Sequence, residues 1–261
     1  MKKFTHTNLI RELSLTYFKL KYQGSLLGYF WSLVKPLMMF LVLLFVFTRV
    51  FKVGGSISHY PVYLLTGIVL WGFFQELIMT SLGAIVENGE LIRKVYFPRI
   101  VLITARGITS LMTFCLNLGV VFLFIFFSGI SLNLASLLII PLVLELFVLS
   151  IGVGLILSAL FVRYRDVVHI WEVISMTAFY ATPILYPLSL VPEKFVKILM
   201  FNPMAQIIQD ARYLLVTDQS STAWNTLPSS LVWIPYLLPF GIFTIGYFIF
   251  ERSSSNFAEQ V

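Results

Sequence analysis

The chain has 261 residues, of which 59% are hydrophobic and 11% charged, with a mean hydropathy of +0.91 and a formal net charge of +6. A soluble domain is about 45–50% apolar and about 25% charged, and a chain of this size cannot cover so much apolar surface with so few charges. A soluble enzyme, a disordered chain and a disulfide scaffold are excluded, since the one cysteine, Cys115, has no partner within the chain. The basic excess fits the cytoplasmic side of a membrane protein better than a nucleic-acid surface.

The first element is a helix over Thr7 to Tyr22. At 100° per residue, Leu9, Ile10, Leu13, Tyr17 and Leu20 fall on one arc, with Arg11, Glu12, Lys19 and Lys21 outside it. Such a helix lies in the inner interface, either as a simple anchor or as a helix that also touches a cytoplasmic partner. Gly24 and Gly28 then match the small-xxx-small spacing of packed helices, at the cytoplasmic edge. The basic, weakly apolar first 28 residues do not read as a cleavable signal peptide.

About 20 mostly apolar residues cross the hydrocarbon core. Six spans are expected, at 29–50, 60–86, 99–128, 134–162, 168–187 and 231–250. The charge-free run from 107 to 144 holds parts of two, divided by the polar turn Ser128-Gly129-Ile130-Ser131. With the N-terminus inside, 13 basic residues fall on the inner side and 5, including Arg212, on the outer side. This asymmetry puts both termini in the cytoplasm. Glu76, Glu145 and Arg106 fall inside spans, where charge pairs or faces a wet cavity.

Two further segments do not span. Residues 87–99 lie between spans two and three, and carry Glu90, Leu91, Arg93, Lys94, Val95 and Tyr96 before Pro98 stops any helix. They read either as an ordinary positive-inside loop or as a short helix that offers apolar and basic groups to a partner. Residues 188–217 hold two short helices, the first opened by Pro192 and Glu193 with Phe195 and Ile198 on its apolar face. Asn202 and Pro203 separate it from the second, marked by Met204, Ile208, Ala211 and Leu215. Both are too short to cross, which makes them re-entrant or interfacial and a candidate lid.

No chemistry of catalysis is legible. There is no Gly-Lys of a phosphate loop, no His-Glu-x-x-His, no Gly-x-Ser-x-Gly, no metal-ligand cluster, and no acidic or His cluster at one interface. His6, His59 and His169 are scattered.

Four strings in order carry a family resemblance: Lys21-Tyr22-Gln23-Gly24-Ser25-Leu26-Leu27-Gly28-Tyr29-Phe30-Trp31-Ser32-Leu33-Val34-Lys35-Pro36, Phe161-Val162-Arg163-Tyr164-Arg165-Asp166-Val167, Thr182-Pro183-Ile184-Leu185-Tyr186-Pro187 and Phe201-Asn202-Pro203-Met204. Over residues 8 to 250 the chain resembles the membrane subunit of polysaccharide-export ABC transporters of the ABC-2 type, which export O-antigen, teichoic acid and related envelope glycans. The resemblance implies an all-α integral membrane protein of the bacterial cytoplasmic membrane. Its parts are a cytoplasmic segment 1–28 with the amphipathic helix, a six-span domain 29–250 with outer gate helices before the last span, and a cytoplasmic tail 251–261. It implies a homodimer with two copies of a separate ABC ATPase, which alone binds ATP and Mg2+, and a lipid-linked glycan passing between the two permeases.

The N-terminal helix and residues 87–99 would then contact the ATPase, with Arg163, Arg165 and Asp166 as a second coupling candidate. Pro187, Phe195, Ile198, Asn202 and Pro203 would belong to the outer gate. Flat apolar rings can cover sugar faces, and Trp71, Phe74, Phe179 and Tyr180 are the candidates to line the channel among 25 Phe, 12 Tyr and 5 Trp. The alternatives are an ABC-2 permease for a drug or small lipid, and a membrane-embedded transferase acting on lipid-linked sugars.

Overall fold

A computed structural model describes residues 6–25, 27–52, 57–255 and 257–260. Lys2, Lys3 and Val261, part of the topology reading, lie outside the described residues. The chain is 80% helix, with no strand among the described residues.

Five helical segments are long and apolar enough to cross a membrane: 28–50, Tyr60–Leu82 (α3), 100–127, 134–163 and 233–254. The first is built from a 3-10 turn, helix α2 (Trp31–Phe45) and a π-helical turn Val46–Val50. The third is α6 (Ile100–Phe127), the fourth a 3-10 turn followed by α7 (Ile139–Arg163), and the fifth α12 (Trp233–Ser254). The expected span 168–187 is instead α8 (Val167–Ala181), only 15 residues long. At about 1.5 Å per residue it covers about 22 Å, short of the roughly 30 Å core. Pro183 ends it, because the residue before proline is pushed to extended backbone and Thr182 has ψ 140°.

The second expected span also ends early, at Leu82. Gly83 separates it from the short helices α4 (Ala84–Glu87) and α5 (Gly89–Lys94). Helix α3 is mostly apolar and mostly buried, with Gln75 and Glu76 as its polar exceptions. Helix α2 is the opposite: of its 15 residues only Phe40 is buried, and Met38, Leu41, Val42 and Phe45 are open.

Helix α7 runs between α12 and α3 through its glycines. A methyl group on Gly152 would lie 2.7 Å from the backbone of Phe243, and one on Gly246 would strike the Gly152 carbonyl. Gly154 faces Ser81 of α3 in the same way. Backbones meet closely where small residues allow it, which is how helices associate in lipid. Gly24 and Gly28, by contrast, have φ of +74° and +50° with nothing near them. They shape a left-handed turn and are not a helix-packing pair.

The N-terminal helix α1 (His6–Tyr22) lies along α6. Leu9, Ile10 and Leu13 pack on the core, Tyr17 is buried, and Thr109 of α6 donates to the Ser14 carbonyl at 3.1 Å. Leu20, on the same arc, is exposed. The apolar face of α1 is therefore largely satisfied by the protein itself.

Candidate functional site

The connections define two ends of the bundle. One carries α4, α5 and the α7–α8 turn; the other carries α9 (Glu193–Met200), α10 (Pro203–Leu215) and α11 (Ala223–Thr226). Between them, beside α1, α2, α3 and α6, opens a cavity of about 460 Å³. Lys21, Lys35 and Glu76 give it a charged edge, and Trp31, Trp71 and Phe179 an aromatic wall.

Two of the three span charges, Glu76 and Arg106, are ion-paired. Glu76 of α3 meets Lys21 of α1 at 2.6 Å, and the same ammonium donates to Thr113 at 3.2 Å. Arg106 of α6 pairs with Glu87 at 2.5 Å and lies 4.0 Å over the ring of Tyr17. The Tyr17 hydroxyl donates to Asn88 Oδ1 at 2.8 Å; burial raises its pKa, and Arg106 pulls it down. These contacts tie α1 to the α3–α6 connection.

The four aromatics picked from the sequence lie in one row. Ring centroids are 5.4 Å apart for Trp71 and Phe74, 5.7 Å for Trp71 and Phe179, and 5.2 Å for Phe179 and Tyr180. Trp171, not foreseen, extends the row from Phe74 at 6.2 Å. Trp71, Phe74 and Phe179 are buried within the chain, and Tyr180 is exposed. Only Trp71 and Phe179 of the four line the cavity.

At the α5 end, Glu90 and Lys94 form an exposed pair at 2.6 Å. Tyr96 is 92% exposed and Val95 52%. Arg93 is exposed too, but Leu91 is half-buried against the core and Ile92 is buried. The surface open to a partner is thus Arg93 to Tyr96, and Leu91 mainly holds the short helix in place. Arg163, Arg165 and Asp166 are exposed at the α7–α8 turn of the same end.

At the other end, Asn202 sits at the corner between α9 and α10. Its Oδ1 accepts from the Met204 amide at 3.0 Å, and its Nδ2 donates to Thr182 Oγ1 at 3.2 Å. Pro203 occupies the first turn of α10, where its missing N–H costs nothing. Phe195 and Ile198 are exposed beside Tyr186, and Pro187 is buried.

Helix α10 is enclosed by α3, α7 and α12 and carries polar groups into that enclosure. Arg212, expected as an outer surface charge, is fully buried. Its guanidinium donates to the carbonyls of Tyr63 (3.1 Å), Pro183 (2.6 Å) and Ile184 (2.6 Å), and lies 3.5 Å over the Tyr63 ring. Asp210 Oδ2 accepts from Gln206 at 2.9 Å and from the Tyr236 hydroxyl of α12 at 2.5 Å. Burial pushes the Asp210 carboxyl up, against the pull of these two bonds and the Ala223 amide. Glu145 of α7 faces the same place, so two carboxylates distant in sequence share one cavity where none was expected to cluster.

A helical bundle of this composition, with five helical segments long and apolar enough to cross a membrane, has the form of a membrane protein. The ABC-2 type transporter family matches residues 8–216, and the chain belongs to it. It is 31% identical over 242 residues to the O-antigen export system permease protein RfbA of Klebsiella pneumoniae, covering 92% of this chain and 90% of the relative. It is 30% identical over 260 residues to a protein of the same name from Myxococcus xanthus, covering 99% and 97%. The polysialic acid transport protein KpsM of Escherichia coli is 22% identical over 204 residues, 78% of this chain and 79% of that one. The chain is a transporter membrane subunit and not an enzyme.

Proposed function

We propose that this chain is the permease of an ATP-driven exporter that moves a lipid-linked polysaccharide across the cytoplasmic membrane. The observation that carries the reading is the cavity joining the Lys21–Glu76 edge to the Trp71–Phe179 wall. An anionic lipid-phosphate linker suits the lysine-bearing edge, and rings suit sugar faces without fixing any one sugar. The relatives' names, which specify O-antigen export and polysialic acid transport, support the same cargo class.

The finer architecture follows. Helix α8 runs antiparallel beside α3, with Gln75 donating to Ser175 and Tyr60 to the Leu185 carbonyl. Turns and a bend over residues 182–186 carry the chain on from α8, and the excess of basic residues on the inner side, 13 against 5, favours an even number of crossings. This supports six crossings with both termini cytoplasmic. The open apolar face of α2 favours a second copy alongside it, with the glycan passing between the two chains. A separate ATPase, holding ATP and Mg2+, docks on Val95 and Tyr96 and on the α7–α8 turn. Helices α9 and α10 close the outer mouth.

Deleting the gene for this chain in its host, with glycan synthesis intact, tests the reading. Surface polysaccharide is expected to disappear while lipid-linked polymer accumulates inside. Unchanged surface polysaccharide overturns it.

A further inference from the structure

The described part of 251–261, expected as a simple tail, is packed onto the bundle. Beyond the end of α12 at Ser254 lies α13 (Phe257–Gln260), which packs against both α5 and α7. Phe257 is 1% exposed, as is Phe250 of α12. Their rings meet at 5.3 Å and 66°, an edge-to-face geometry that aromatic pairs prefer. Burying Phe257 means ordering the residues that carry it, at a cost in chain entropy. The element reached in return, α5, is the one that leads into the exposed Arg93 to Tyr96 surface.

Helix α5 needs such a support. It has six residues, and a helix that short does not hold itself in water. Its outer residues are exposed, so its shape rests on buried Ile92, half-buried Leu91 and buried Phe97 beyond it. Along the chain α5 is joined to α3 through α4, and to α6 through Phe97 and Pro98. Through α13 it is joined also to α12, which meets α7 backbone to backbone at Gly152 and Gly246. Contacts packed this closely transmit a displacement instead of absorbing it.

We propose that Phe257 is a positioning residue for energy coupling: its burial clamps α13 against α5 and fixes the face on which the ATPase docks. The inference rests on the docking of the ATPase at Val95 and Tyr96. Its consequence is that a push on α5 reaches the α7–α12 pair as well as the two spans that flank α5 in sequence. The clamp is apolar, so it persists at ionic strengths that screen the exposed charges around it.

Hydrogen exchange of the full-length protein in detergent, read by mass spectrometry, tests the clamp without the ATPase. In Phe257→Ala the amides of 89–96 should exchange about tenfold faster, as a local opening does, while those of α6 keep their protection. Ending the chain at Ser255, which removes α13 and leaves α12 whole, should do the same, and Phe257→Leu should restore wild-type exchange. Co-purification with the ATPase subunit reads the consequence. Apparent affinity should fall about tenfold in Phe257→Ala, as loss of a preorganised surface implies, and return in Phe257→Leu, with Tyr96→Asp as the reference loss. Unchanged exchange at 89–96, or a loss of protection that spreads equally to α6, overturns the clamp. Faster exchange with affinity kept, where Tyr96→Asp loses it, overturns its role in docking. If Tyr96→Asp itself keeps full affinity, the docking reading is what fails, and the clamp falls with it as a coupling device whatever the exchange shows.

Discussion

Arg212 shows how one side chain can hold an end of a bundle together. A planar fork with fixed donors reaches the start of α3 and the Pro183–Ile184 backbone at once, which a point-charge ammonium cannot do. Arg212→Met takes the donor from the buried Pro183 and Ile184 carbonyls, at about 1–3 kcal/mol each, and one donor from Tyr63, so a large fall in Tm is expected in detergent. Arg212→Lys should fall between, and an Arg212→Met protein as stable as the parent contradicts this role. Nothing in the sequence around Arg212 distinguishes it from a solvated basic residue, because its partners are backbone groups far along the chain. Glu76 and Arg106 were legible as needing partners, since charge inside an apolar run is costly. Their partners, Lys21 and Glu87, came from segments whose position only the fold supplies.

At the scale of elements, the long apolar helices were readable from hydropathy, because span length follows from bilayer thickness. The stop of α8 at Thr182 was readable in principle from Pro183. The apolar run continuing to Tyr186 masked it. The Gly152–Gly246 contact was missed because the two glycines lie on different helices, and spacing within one helix does not reveal the pairing. Gly152→Leu is expected to push α12 away from α7 and to destabilise or misfold the protein, by more than the usual about 1–3 kcal/mol of overpacking, since the obstacle is backbone. Gly119→Leu, on an open face of α6, is the control and should leave melting unchanged. The Asn202 corner gives a smaller effect. Asn202→Ala removes a helix cap and the tie to Thr182, so a loss of about 1 kcal/mol is expected, read as a Tm shift; no shift means the corner is held by packing alone.

For the whole molecule, the count of crossings decides topology. With α8 and its continuation as a span, reporter fusions at Thr217 and at the C-terminus should report outside and inside respectively. A cytoplasmic signal at Thr217 contradicts the six-crossing arrangement. The all-helical membrane architecture was legible because the uncharged apolar runs are as long as a helical span requires. The site was less so: the aromatics could be named, yet Trp171 and the Glu145–Asp210 convergence depend on helix rotation, which composition does not encode.

The most direct measurement is reconstitution of this chain with its ATPase subunit in proteoliposomes, following the appearance of lipid-linked glycan in the opposite leaflet. ATP-dependent movement is predicted, with Tyr96→Asp abolishing it and weakening ATPase association, because that exposed ring is the natural docking group. No ATP-dependent glycan movement with the wild-type pair, or movement and association untouched by Tyr96→Asp, would contradict the transport reading in the first case and the docking surface in the second.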